Sequence, residues 1–135
     1  MGSCLLSVET VATGKNETGA LARATLPLAQ NKVNIDCTCC YSTNNEATFH
    51  FVTNNASKAK ELLSKNGFRC TENEVCRWST NNHPGILNKG TTALAEAGIE
   101  IEYCYTATPA SNNGMTDVIF CTNNNKKAAE VLRRY

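Results

Sequence analysis

Two periods organise the apolar residues of this chain. Alternation at every second position marks strands. Val33, Ile35, Cys37 and Cys39 share one face of such a segment, and Ile99, Ile101, Tyr103 and Tyr105 share the face of another. Ala47, Phe49 and Phe51 alternate in the same way, as do Val118 and Phe120. Shorter strands are expected around 6–12, 68–71 and 74–79. Helical spacing lies between them. Leu21, Ala24 and Leu28 fall on one face of a helix over 20–31, and Leu87, Leu94 and Ala95 gather on a helix over 86–97. Pro84 suits a first helical turn, whereas Pro27 is expected to kink or fray the end of its helix. Gly98 suits a helix C-terminus, a place that Asn31 fills less well in the earlier helix. A further helix spans 56–66, capped by Asn55 and ended by Gly67, and its counterpart runs from about 125 to the end.

The elements come twice because the chain repeats itself. Asn16-Glu17-Thr18-Gly19-Ala20-Leu21 recurs as Asn82-His83-Pro84-Gly85-Ile86-Leu87. At the same spacing Leu28 meets Leu94, Val33 meets Ile99 and Ile35 meets Ile101. Later, Thr53-Asn54-Asn55 recurs as Thr122-Asn123-Asn124, and Lys58-Ala59-Lys60-Glu61-Leu62-Leu63 as Lys127-Ala128-Ala129-Glu130-Val131-Leu132, three positions further apart. The extra residues are assigned to the polar loop over 109–114, where a duplicated fold tolerates insertion.

Each repeat reads strand-helix-strand-strand-helix-strand, the split β-α-β, ferredoxin-like plan of an α+β protein. Helices on one side bury one face of the sheet. Two βαββαβ units are expected side by side in a continuous sheet, over 1–71 and 72–135. Tyr135 aligns with Asn66, so the second unit lacks its last strand and leaves a strand edge open. Strand exchange, a homodimer or the N-terminal segment can cover that edge.

Composition narrows the class. The 135 residues carry a net charge of +1, without the basic excess of a nucleic-acid footprint. No apolar run approaches a membrane span, and none follows a basic N-terminus, so neither a membrane anchor nor a secretory signal is expected. Eight cysteines without an export signal read as reduced thiols of a cytosolic, cytoplasmic protein. Paired Asn residues separate the patterned segments, as turn and helix-start punctuation does.

Asn82-His83-Pro84-Gly85-Ile86-Leu87 before a helix, then Ala95-Glu96-Ala97-Gly98-Ile99-Glu100-Ile101-Glu102 running into a strand, resembles the ACT-domain signature. Asn16, Gly19, Leu21 and Val33-Asn34-Ile35-Asp36 carry the same signature in the first repeat, with Thr18 in place of Pro. The likeness spans nearly the whole chain as a tandem pair, of the small stand-alone type. It implies a regulatory module that senses a small molecule, most often an amino acid, between the first helix-start loop of one unit and the second strand of its neighbour. Carried onto this chain, the resemblance places ligand contacts at Asn82, His83, Pro84 and Gly85 facing Asn34, Ile35 and Asp36. The reciprocal site, Asn16 and Gly19 facing Glu100 and Ile101, is expected to be weaker. Glu100 stands where the family has Asn, and a carboxylate there repels a ligand carboxylate. The chemistry also stands without the name: amides at a helix start attract an anionic group, and Gly allows close approach. An amide side chain offers both donor and acceptor to a zwitterion.

Plainer readings stand beside these. Asn16 and Asn82 can cap helices, with or without a ligand. Cys37, Cys39 and Cys40 lie close in sequence, but alternation turns Cys40 away from the other two, and no CxxC pair has a partner, so no metal or cofactor is implied. His50 is expected on the sheet face opposite Phe49 and Phe51. Nothing resembles a nucleophile elbow, a phosphate loop or a metal-ligand helix, so no catalytic residue is assigned. The reading is a non-catalytic, amino-acid-binding regulator. The alternative is a ligand-free assembly module acting through its sheet edges and free sheet face.

Overall fold

The computed structural model describes residues 2–108 and 113–135. The elements run β1 (Ser3–Lys15), α1 (Ala20–Gln30), β2 (Ile35–Thr43), β3 (Glu46–Thr53), α2 (Ala56–Lys65), β4 (Arg69–Asn81), α3 (Ile86–Glu96), β5 (Ile101–Ala107), β6 (Met115–Thr122) and α4 (Asn125–Leu132). The order matches the repeated plan. The insertion assigned to 109–114 falls mostly outside the described residues.

The chain forms two compact lobes. The first is Val8–Asn73, with strand order β2-β3-β1-β4. The second is Glu74–Tyr135 together with residues 2–7, with strand order β1-β4-β6-β5. Set beside a contiguous division at 71/72, residues 2–7 pack with the second lobe and residues 72–73 with the first. Residues 2–7 supply the strand that the second lobe's own sequence lacks, so β4 is not left as an edge. Gly2 N–H donates to the Tyr135 carbonyl, and Arg133 Nε to the Cys4 carbonyl, which ties the segment to the end of the chain.

Each lobe has its own core. In the first, α1 and α2 pack on Ala12, Phe49, Phe51 and Phe68, with Ala24, Leu28 and Leu63 fully buried. In the second, Trp78, Val118 and Phe120 pack with Leu94, Ala128 and Leu132. The buried stripe of α1 is Ala20, Ala24, Pro27 and Leu28, and that of α3 is Ile86, Gly90, Ala93 and Leu94. Of the expected stripes Ala24, Leu28 and Leu94 are buried, whereas Leu21 and Leu87 face solvent, at 43% and 42% exposure, and Ala95 is exposed too. Pro27 neither ends nor frays α1, which continues to Gln30, and the Pro27 carbonyl accepts from both Asn31 N–H and Asn31 Nδ2.

The second strands break their expected alternation. Ile35 pairs with Thr53, but Cys37 pairs with Val52, so Asp36 is an extra residue forming a bulge. Glu102 does the same between Ile101 and Tyr103. Beyond each bulge the faces exchange. Ile35 and Cys40 pack on the first core, whereas Cys37 and Cys39 lie across from Val52 and His50 on the opposite face. Tyr103 and Tyr105 likewise lie across from Cys121 and Ile119, away from the face that holds Ile99, Val118 and Phe120. Among the described residues no helix is long and apolar enough to cross a membrane.

Candidate functional site

The four helices start in two ways. Asn55 and Asn124 cap α2 and α4, their side-chain oxygens accepting from Lys58 N–H and Lys127 N–H at 3.1 Å each. α1 and α3 have no side-chain cap; Gly19 and Gly85 stand at the N-cap in left-handed geometry, φ 83° and 92°. A Cβ at either glycine would meet nothing within 4 Å, so the space over each helix start is open. Uncapped first-turn N–H groups carry the positive end of the helix dipole into that space.

Asn16 and Asn82, three positions before these glycines, do not cap. Each donates its backbone N–H across the lobe's hairpin, Asn16 to the Asn45 carbonyl at 2.8 Å and Asn82 to that of Gly114 at 2.7 Å. They differ in their side chains. Asn16 Nδ2 donates to the Asn44 carbonyl at 3.2 Å, whereas the Asn82 amide makes no hydrogen bond among the described residues. His83 Nδ1 lies 3.0 Å from the Pro84 carbonyl. The loop of Asn82, His83, Pro84 and Gly85 is exposed throughout.

At the start of β2, Asn34 Nδ2 donates to Asp36 Oδ1 at 2.6 Å, which joins two residues assigned to one site. Asn34 N–H donates to Asn54 Oδ1 at 3.0 Å, and Asn54 N–H to the Asn34 carbonyl at 3.2 Å. The second lobe repeats this clasp with Asn123 and Glu100, at 3.1 Å in both directions. Sequence reading missed the role of Asn54 and Asn123, although the recurring Thr-Asn-Asn carried the signal: its first Asn holds a strand start and its second caps a helix. Ile35 is half-buried, while Ile101 is exposed.

Among the clefts of the first lobe, two hold residues assigned to ligand contact. One of about 320 Å³ is lined by Asn16, Gly19, Tyr41 and Phe49. The other, about 440 Å³, lies along α1 and is lined by Leu26, Val33, Asn34 and Ile35. Asn16 and Asn34 thus line different clefts.

A buried polar cluster in the same lobe was not foreseen. His50 Nδ1 lies 3.1 Å from Glu9 Oε1, Tyr41 Oη lies 3.1 Å from His50 Nε2, and Asn73 Nδ2 donates to Glu9 Oε2 at 3.2 Å. Glu9 is wholly buried and His50 nearly so, on the face away from Phe49 and Phe51 that alternation assigns to His50. Burial pushes the nearby Cys39 thiol up, with Cys40 and Glu9 adding to the effect, so Cys39 is a poor nucleophile.

A family model described as an ACT domain pair matches residues 6–134. No curated protein matches the sequence. Among solved structures the chain is similar to a protein from Bacteroides thetaiotaomicron, with 26% identity, a TM-score of 0.86, and 97% of this chain and 89% of that one covered. It is also similar to the ligand-free regulatory subunit of aspartate kinase from Thermus thermophilus (17% identity, TM-score 0.72, 99% and 96% covered). The corresponding subunit from Thermus flavus gives 16% identity and a TM-score of 0.64, with 98% and 95% covered. The likeness to these two subunits is one of fold.

Proposed function

The chain belongs to the ACT domain family as a domain pair, and from that premise we propose that it is a regulatory protein that binds an amino acid without catalysis of its own. As repeats we assign 1–71 and 72–135. The observation that carries the proposal is the contrast among helix starts. Two are closed by Asn side chains, while the two that follow the family loops are uncapped, glycine-opened and exposed. An α-carboxylate is the kind of group such a start attracts. The unengaged Asn82 amide favours the loop of Asn82, His83, Pro84 and Gly85 as the stronger contact element, with Asn34, Ile35 and Asp36 as the strand contribution. Asn16, Gly19, Glu100 and Ile101 form the weaker set, because Asn16 is already bound to Asn44 and Glu100 opposes an anion.

Titration calorimetry with the twenty amino acids tests this, repeated on Asn34→Ala and Asn82→Ala. At a hundred times its dissociation constant a true ligand stabilises the fold by about 2.7 kcal/mol, which a thermal-shift assay detects. Binding that persists unchanged in both variants removes this site, and no binding by any amino acid removes the ligand class.

A second reading, assembly through sheet edges, is favoured by β2 and β5. Each ends its lobe's strand order, and they carry Tyr41 at 50% and Ile101 at 36% exposure. Light scattering on the eluting protein separates the two: a strict monomer that binds an amino acid excludes assembly as the primary role.

A further inference from the structure

Asn-Gly occurs twice in the chain, at 66–67 and at 113–114, and the fold treats the two pairs differently. Asn66 closes α2. Its Nδ2 donates to the Leu62 carbonyl at 2.7 Å, and the Gly67 N–H donates to that of Ser64 at 3.3 Å. Asn113 and Gly114 lie between β5 and β6, just before Met115, with φ 47° and 79°. Asn113 is exposed, and its amide makes no hydrogen bond among the described residues. Asn44 takes the matching place in the first lobe, with φ 55°, but there Asn45 follows in place of Gly.

We propose that Asn113 is a site of spontaneous deamidation, and that the change loosens the loop of Asn82. The main-chain nitrogen of Gly114 gives its proton to a base in solution and attacks Asn113 Cγ. A five-membered imide forms, the Cγ–Nδ2 bond breaks, and ammonia leaves with a proton from solvent. Water then opens the imide. Cleavage at Cγ leaves Asp. Cleavage at the original peptide carbon leaves isoaspartate, whose main chain runs through Cγ. The sum is amide plus water to carboxylic acid plus ammonia, with no change of oxidation state.

Local structure selects this Asn over the other two. Gly114 has no Cβ to hinder the attack, whereas Asn45 carries a side chain where Asn44 would react. An exposed connection between strands opens more readily than a bonded helix end. At Asn66 the leaving amide and the attacking nitrogen are both held by carbonyls, and those bonds must break first. The consequence follows from what Gly114 holds. Its carbonyl accepts from Asn82 N–H at 2.7 Å, as that of Asn45 accepts from Asn16 N–H at 2.8 Å. Isoaspartate inserts one extra main-chain carbon immediately before Gly114, which shifts that carbonyl, and it adds a carboxylate close to the loop. The inference goes beyond the proposed function and is independent of the ligand that the loop takes.

The test incubates the full chain in mildly alkaline buffer and maps its peptides over time by mass spectrometry. The expected product is about one dalton heavier at Asn113, and part of it accepts a methyl group from an isoaspartate methyltransferase. Asn113 is expected to react at least about tenfold faster than Asn66 and Asn44. Amide exchange at Asn82 is expected to speed up about tenfold in the isoaspartate fraction, while exchange at Asn16 keeps its rate. An Asn113 that stays intact, or that reacts no faster than Asn66 or Asn44, overturns the site. Unchanged exchange at Asn82 in the modified chain overturns the effect on the loop. Both readouts use the unmutated chain, so the folding of a variant does not enter. Neither involves a ligand, so a failure here leaves the amino-acid reading untouched.

Discussion

Trp78 and Gly90 exchange volume across the core of the second lobe, and the repeat shows what they replace. The matching residues of the first lobe are Ala12 and Ala24, both fully buried. Where the second lobe has a Trp on its strand, its helix has given up a side chain. A Cβ on Gly90 would stand 2.5 Å from Trp78 Cζ3 and 2.7 Å from Cη2. The indole cannot retreat, since it is wholly buried and packs on Phe120 with centroids 6.3 Å apart. Gly90→Ala therefore sets two effects against each other. Helix propensity favours Ala by up to about 1 kcal/mol, and overpacking costs about 1–3 kcal/mol. With the indole held fixed the clash wins, with an expected net loss of up to about 2 kcal/mol. Trp78 is the only tryptophan, so urea unfolding followed by its fluorescence reads that lobe directly. A midpoint at or above that of the parent would contradict this packing. Little of the exchange was legible beforehand, because a Gly inside a helical pattern reads as a weak point until its neighbour across the core is known. The same holds for Lys32, which takes the left-handed turn after α1 at φ 57°, the place Gly98 fills after α3.

At the scale of elements, the repeated Asn residues serve different ends because of spacing. Asn55 and Asn124 immediately precede their helices and cap them. Asn16 and Asn82 stand too far back, and their backbone holds the hairpin instead. Asn124→Ala is thus expected to cost about 1 kcal/mol of stability, and Asn82→Ala close to nothing. Thermal unfolding of the two variants checks the contrast, and an equal loss in both would mean that Asn82 has a structural task. The contrast also protects the binding test, since a lost ligand signal in Asn82→Ala is then not a folding defect. Element order, helix starts and the capped pair were readable from periodicity and turn chemistry. The bulges at Asp36 and Glu102 were not. A period-two pattern such as Ile35, Cys37, Cys39 looks unbroken in sequence, and only pairing with β3 shows that one residue is extra. Both bulges fall at the strand starts assigned to ligand contact, so the least legible stretch of backbone coincides with the candidate site.

For the whole molecule, the open question in the sequence was an absent strand, and the chain answers it with its own beginning. Residues 3–7 join the second lobe, and the rest of β1 serves the first. A strand expected over 6–12 in fact runs from Ser3 to Lys15, since a single lobe would not need that length. The join is close: a Cβ at Gly2 would sit 2.3 Å from the Ser79 carbonyl oxygen, so a larger residue there displaces the strand. Removing residues 1–7 takes the buried Cys4 from the core and bares the β4 edge, which invites pairing between chains. The expected loss is at least about 2 kcal/mol, confined to the second lobe. Trp78 fluorescence should then report unfolding at lower urea than the far-ultraviolet dichroism of the whole chain, and the truncated protein should elute as a larger species. If the shortened chain stays monomeric and both probes move together at the parent midpoint, the segment is an ornament on the second lobe and not its fourth strand.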